Sequence, residues 1–182
     1  MHGPAPVTGV ADPATPVFTP SAALSALGVS CRLEREDDIP FIRRLYCEMR
    51  WEELAVIQDW TDEQKLGFLV QQYEAQRLHY ARAYHDAEFL VLEQAGQPIG
   101  RLYLYRGNPK DIRIVDIGLL IALRNQGLGR AIIENVFDEA RADGRSVSIH
   151  VEIFNPARHL YDRLGFVEIG EHGPYRLMEW RG

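Results

Sequence analysis

The feature that most constrains this chain lies near its middle. A short apolar strand runs into Arg124-Asn125-Gln126-Gly127-Leu128-Gly129-Arg130 and then directly into an amphipathic helix. Two glycines at this spacing let the backbone take positive φ and bring its N–H groups close to a ligand. A helix that starts near Leu128 points the positive end of its dipole at the same spot. The junction therefore reads as a cradle for an anion, and a diphosphate fits it best.

What surrounds the glycines narrows the choice of anion. A nucleoside-triphosphate loop carries Lys-Ser/Thr after its last glycine, and here Arg130-Ala131 stands in that place. A dinucleotide loop needs a third small residue three positions after Gly129, but Ile132 occupies it, and an acidic ribose partner about 20 residues on is unconvincing. Taken alone, the loop also fits a glycine turn that merely joins strand to helix.

A second segment follows in order. Ser146-Val147-Ser148-Ile149-His150-Val151-Glu152-Ile153 alternates as a strand should and ends at Asn155-Pro156-Ala157. Asn at an N-cap and Pro at the first helical position start a helix, with Ala157, Leu160, Tyr161 and Leu164 on its apolar side. Gly165 supplies a left-handed stop, and Phe166 can fold back on Leu160 or Tyr161.

These residues resemble the GNAT superfamily of N-acetyltransferases. Arg124-x-x-Gly127-x-Gly129 is similar to the family's Q/R-x-x-G-x-G/A pyrophosphate loop, and Asn155-x-Ala157-x-x-x-Tyr161-x-x-x-Gly165-Phe166 to its Asn-to-Gly-Phe helix. The resemblance covers roughly Val29 to Trp180. It departs at Ile121, where the family often has proline, at Asn125, often glycine, and at Leu128, often β-branched. Asn tolerates left-handed backbone, so the path of the loop can survive.

The resemblance implies a mixed α/β fold, with a mostly antiparallel, splayed central sheet flanked by helices. It implies transfer of an acetyl group from acetyl-coenzyme A to an amine, by direct attack through a tetrahedral intermediate. Backbone N–H groups of Gln126, Gly127, Leu128 and Gly129, with that of Arg130, would hold the pyrophosphate, and the Arg124 side chain would add charge or brace the loop. Backbone around Leu119 and Ile121 would pair with the pantetheine arm. Asn155 would either contact the cofactor or only cap its helix.

Tyr161 is the implied general acid, because a phenol can donate to a departing thiolate; the alternative is a core aromatic with its hydroxyl satisfied. The general base stays open between Asp116 and Glu152, with His150 a third option. Asp116 could instead be a structural carboxylate, and Glu152 could pair with Arg158.

Composition agrees with one domain at 29–182 behind a tail at 1–28. With 182 residues and 46% hydrophobic content, folding can bury on the order of two-thirds of the unfolded surface. Residues up to about Leu27 are rich in Pro, Ala, Thr and Ser and read as a flexible leader; Pro13, Pro16 and Pro20 break up any signal-peptide core. No apolar run is long enough to span a membrane, so the cytoplasm is the default location. Net charge of −6 argues against a general nucleic-acid binder. Cys31 and Cys47 read as inert thiols, and no metal site is expected.

The acceptor would be a small amine or a protein amine, and a homodimer is left open. Glu48, Glu52 and Glu53 beside Trp51 and Trp60 could attract a cationic amine, or they form a solvated acidic helix face with the two tryptophans in the core. Two other readings stand beside the enzyme: a non-catalytic acyl-coenzyme-A-binding module, and an interaction protein without cofactor affinity.

Overall fold

The computed structural model describes residues 17–182. Seven strands form one sheet: β1 (Val29–Leu33), β2 (Glu88–Gln94), β3 (Gln97–Tyr105), β4 (Asp111–Leu119), β5 (Ser146–Glu152), β6 (Val167–His172) and β7 (Tyr175–Trp180). Their spatial order is β1-β2-β3-β4-β5-β7-β6. All neighbours pair antiparallel except β4 and β5, which are parallel. The helices are α1 (Ala22–Ala26), α2 (Ile39–Arg50), α3 (Asp62–Ala83), α4 (Leu128–Asp143) and α5 (Arg158–Arg163).

Helices cover both faces of the sheet, so inner strands carry apolar residues in near-continuous runs. Leu90 and Leu92 of β2 join a core with α1, α4 and α5, whereas Val91 between them joins a second core with α2 and α3. Local signals mark the helix ends as their chemistry requires. Thr61 and Gln64 exchange hydrogen bonds of 2.9 and 3.2 Å at the start of α3, a capping box that satisfies two otherwise open N–H groups.

The parallel pair sets the geometry of the site. β4 and β5 pair only from Asp111–Ser146 to Ile114–Ile149, although β4 runs on to Leu119 and β5 to Glu152. Past that point the strands diverge. β4 also bulges there: Leu104 faces Ile114 but Tyr103 faces Asp116, so Val115 is an extra residue. The bulge resets the alternation of side chains. Ile112, Ile114 and Leu119 pack with α4, whereas Asp116 contacts α3 and a β-carbon at Gly118 would strike Met49 of α2.

The expected leader needs correction where it is described. Residues 17–28 are folded: Phe18 and Leu24 are fully buried, and Ser21 caps α1. Asn135, itself buried on α4, accepts from the Ser21 N–H and donates to the Thr19 carbonyl, while Glu88 accepts from the Phe18 N–H at 3.2 Å. Two apolar anchors and a ring of hydrogen bonds from distant residues outweigh a composition that favours disorder. Residues 1–16 of the expected leader lie outside the described residues.

Candidate active site

β4 and β5 stop pairing after Ile114–Ile149, and the glycine loop follows the end of β4. β4 leads through a 3-10 turn, Ile121–Leu123, to Arg124, and the chain then takes left-handed backbone at Asn125 (φ 60°) and Gly127 (φ 82°). Asn125 holds the conformation that its small polar side chain tolerates. Gly127 caps α4 with no side-chain hydrogen bond, and Ala131 is the N–H that closes back on its carbonyl, at 3.0 Å. The N–H groups ahead of Ala131 thus point out of the helix end without intrahelical partners. A β-carbon on Gly127 would meet nothing within 4 Å, so the space in front of the loop is open.

Side chains around the loop are arranged to leave that space positive. Gln126 donates back to the Ala122 carbonyl at 2.9 Å and braces the turn. Arg130 is tied to Glu134 at 2.8 Å, whereas Arg124 is exposed and forms no ion pair among the described residues. Leu119 is buried and Ile121 about half exposed. Because β5 has left β4 by this point, the edge of β4 beyond Ile114 that faces the gap has no strand partner.

Tyr161 is carried by α5 into the main core. The ring is 5% exposed and packs edge-to-face on Phe166 at 5.7 Å, the contact expected of a helix stopped at Gly165, where φ is 90°. No protein group among the described residues hydrogen-bonds its hydroxyl. Burial, helped by the negative charge of Asp116, pushes this phenol well above its ordinary range. It stays protonated at neutral pH, as an ordinary phenol does.

Asp116 is held by two donors on one oxygen: Arg101 at 2.7 Å and the Tyr80 hydroxyl at 3.0 Å, both to Oδ2. Arg101 is nearly fully buried, also donates to Gln76 at 3.0 Å, and stacks its guanidinium over the rings of Tyr46 and Tyr103. Glu152, on the same face, is gripped by Arg50 at 3.1 and 3.5 Å and approached by the Tyr175 hydroxyl at 3.5 Å. The expected partner Arg158 binds Glu168 instead, at 2.9 Å. The reason is topological: Glu152 faces α2, and α5 lies behind the opposite face of the sheet.

His150 is already engaged. Its Nδ1 lies 3.1 Å from the Arg113 guanidinium, which can only donate, so Nε2 carries the proton; that atom is buried without a partner. Burial, with Arg113 and His172 adding to it, holds the imidazole below its usual value. A neutral ring with its lone pair occupied is poorly placed to take a proton.

Two sequence expectations shift in detail. α5 begins at Arg158, and Asn155-Pro156-Ala157 form the turn before it, where Asn155 Oδ1 accepts from the Ala157 N–H at 2.9 Å. Asn155 thus braces the turn ahead of α5, whose N-cap is Ala157 and has no side-chain cap bond. The Asn155 amide N–H₂ makes no hydrogen bond among the described residues. Trp51 and Trp60 are each 37% exposed rather than core residues, and Glu53 is tied to Arg50 at 2.7 Å. Cys31 and Cys47 are free thiols, with burial pushing Cys31 up to about 11. No cluster of His, Cys, Asp or Glu among the described residues could hold a metal ion.

Arg50, Arg101, Tyr80 and Tyr175 were not singled out by sequence. A signal for Arg101 existed: it sits between Gly100 and Leu102 in a strand whose neighbours are all buried, and a charge there must find a partner.

A parallel pair that stops pairing at Ile114–Ile149, followed by a glycine-initiated helix without a side-chain cap, is the arrangement of a GNAT-like sheet. Residues 51–166 match the acetyltransferase (GNAT) family, and the chain belongs to it. It is 30% identical over 119 residues, 64% of its length, to mycothiol acetyltransferase of Corynebacterium glutamicum (strain R), and it spans only 40% of that protein. Among solved structures, PaiA N-acetyltransferase from Thermoplasma acidophilum in complex with coenzyme A shares the fold at 15% identity and a TM-score of 0.64, over 85% of this chain and 99% of that one. An acetyltransferase from Thermus thermophilus does so at 20% identity and a TM-score of 0.59, over 85% and 97%.

Proposed function

We propose that this chain transfers an acetyl group from acetyl-coenzyme A, as a substrate, to an amine. The observation that carries the reading is the exposed Gly127 turn that starts α4 without a side-chain cap, just past the point where β4 loses β5 as its partner. Related folds support the donor: PaiA was crystallised with coenzyme A and an Elizabethkingia anophelis GNAT protein with acetyl-CoA bound.

The residues divide the work as follows. Backbone N–H groups of Gly127 to Arg130 and the free Arg124 guanidinium hold the pyrophosphate. The unpaired edge of β4 through Leu119 receives the pantetheine amides as an added strand would. An amine arriving from the α2 face attacks the thioester carbonyl; the C–N bond forms, the C–S bond breaks, and Tyr161 gives its proton to the leaving thiolate. Glu152, the more exposed of the two carboxylates, takes the ammonium proton before attack and passes it to solvent. The second nitrogen proton leaves the tetrahedral intermediate by the same route, and solvent reprotonates Tyr161. For a lysine-like amine the ammonium proton is worth roughly 4 to 5 kcal/mol at neutral pH, which is why a base is needed.

One observation favours the non-catalytic acyl-coenzyme-A-binding module: Asp116 and Glu152 are both ion-paired. Calorimetry with acetyl-coenzyme A tests the site. Micromolar binding is expected for the native chain and lost in Gly127→Trp, which fills the open space and strains the left-handed turn. Binding is weakened in Arg124→Glu, an exposed position without an ion-pair partner among the described residues, with circular dichroism confirming that both variants are folded. No binding by the native chain sinks both the enzyme and the binding module.

A further inference from the structure

α2 and α3 leave between them a groove of about 510 Å³, a volume typical of small-molecule sites. Its walls are apolar. Cys47 and Trp51 come from one helix stripe, Leu66 and Val70 from the facing one, and Ile121 from the turn after β4. Trp51, Leu66 and Ile121 are 37%, 47% and 48% exposed, so three large apolar side chains face water along one groove. Exposed apolar surface gathered in this way marks a binding face rather than chance.

Charge says what kind of molecule fits. Three charged side chains line the groove: Arg43, Arg44 and Glu48. Arg44 and Glu48 face each other at 3.7 Å, while Arg43 has no carboxylate partner among the described residues. The groove adjoins the site along the chain, although neither Glu152 nor Arg124 lines it. Trp51 follows Arg50, which grips Glu152, and Ile121 precedes the Arg124 loop. From Arg50, next to Trp51, back to Arg43 α2 rises roughly 10 Å, a span that a medium-length alkyl chain bridges.

Resting on the amine-acceptor reading above, we propose that this groove selects the acceptor: an amine with an apolar body lying against Trp51, Leu66, Val70 and Ile121, and a carboxylate at its far end paired with Arg43. The reacting amine then sits at the Trp51 end, next to Arg50 and Glu152.

Three probes separate the parts of this proposal: octanoate, octylamine and 8-aminooctanoate, titrated by calorimetry and by tryptophan fluorescence. All three bind the native chain, 8-aminooctanoate and octanoate more tightly than octylamine. Leu66→Asp weakens all three by about tenfold, since it puts a charge into the apolar wall. Arg43→Glu weakens the two carboxylates by about fivefold or more and spares octylamine, and Arg43→Lys restores much of the loss. Both positions are exposed, and Val56→Asp, at an exposed apolar side chain outside the groove, leaves binding unchanged. Absence of binding by all three at millimolar concentration overturns the proposal, as does native-like binding in Leu66→Asp. A chain that binds acetyl-coenzyme A but none of the probes loses the groove alone, and one that binds the probes but not acetyl-coenzyme A loses the enzymatic reading alone.

Discussion

Arg101 Nη2 lies 2.7 Å from Asp116 Oδ2, and the two side chains are only 3% and 12% exposed. Asp116 occupies the first position after the β4 bulge, where the strand has just turned its polar side toward α3. The pair therefore sits just past the point where β4 and β5 stop pairing. It fixes a negative charge near Tyr161, on the other side of the parting strands, and that charge adds to burial in keeping the phenol protonated.

Removing one partner should be costly because the other charge is left buried. Arg101→Met is expected to destabilise the fold by about 3 to 5 kcal/mol in urea denaturation, and the double change Arg101→Met with Asp116→Leu to recover a large part of that loss. A single variant as stable as the native chain would show that the pair is not held as tightly as its geometry implies.

Tyr161→Phe removes a hydroxyl with no protein partner, so stability should change by less than about 1 kcal/mol. If the hydroxyl protonates the thiolate, kcat falls by roughly 10² to 10⁴ while acetyl-coenzyme A affinity stays the same. Native-like turnover in this variant would leave Tyr161 as a packing residue. Its raised pKa also predicts a native alkaline limb of activity above the ordinary phenol range near 10.

Acid should weaken the fold through His150. Its value in the folded chain lies below the unfolded one, so the neutral ring favours the folded state fully above about pH 6.5. As pH falls below that, the unfolded chain takes up the proton first, and stability is lost until the native value is passed. His150→Gln keeps an acceptor for Arg113 but cannot titrate; its Tm should drop less than the native Tm between pH 7.5 and 5. Parallel curves would assign the acid sensitivity to other groups.

What could be read from sequence was what neighbours along the chain decide. The left-handed backbone at Asn125, Gly127 and Gly165 and the Thr61–Gln64 box each depend on a few adjacent residues. The unread part depends on distant partners. Glu152 meets Arg50 across 102 positions, and Asn135 holds the leader across 114. Trp51 reads as a core residue by type, yet it lines a groove because α3 packs against α2 through Leu69 and Tyr73, with Val70 only partly buried and Leu66 left exposed beside it. No local pattern carries that information.

The choice between the two carboxylates can be made with acceptors of different basicity. A lysine-like amine with pKa about 10.4 is almost wholly protonated at pH 7, whereas an α-amine near 7.8 is protonated by less than one unit's worth, about 1 kcal/mol. If Glu152 removes the proton, Glu152→Gln should lower kcat/KM by about 10² or more for the basic amine and much less for the α-amine, with acetyl-coenzyme A affinity intact. Raising the pH should then rescue the variant, because more of the amine arrives neutral. Arg50, released from its carboxylate partner, still has Glu53 at 2.7 Å, so the variant should keep its fold. Equal losses for both amines with no rescue at high pH would mean that Glu152 places Arg50 rather than moving a proton, and Asp116 Oδ1, which neither Arg101 nor Tyr80 occupies, would become the base.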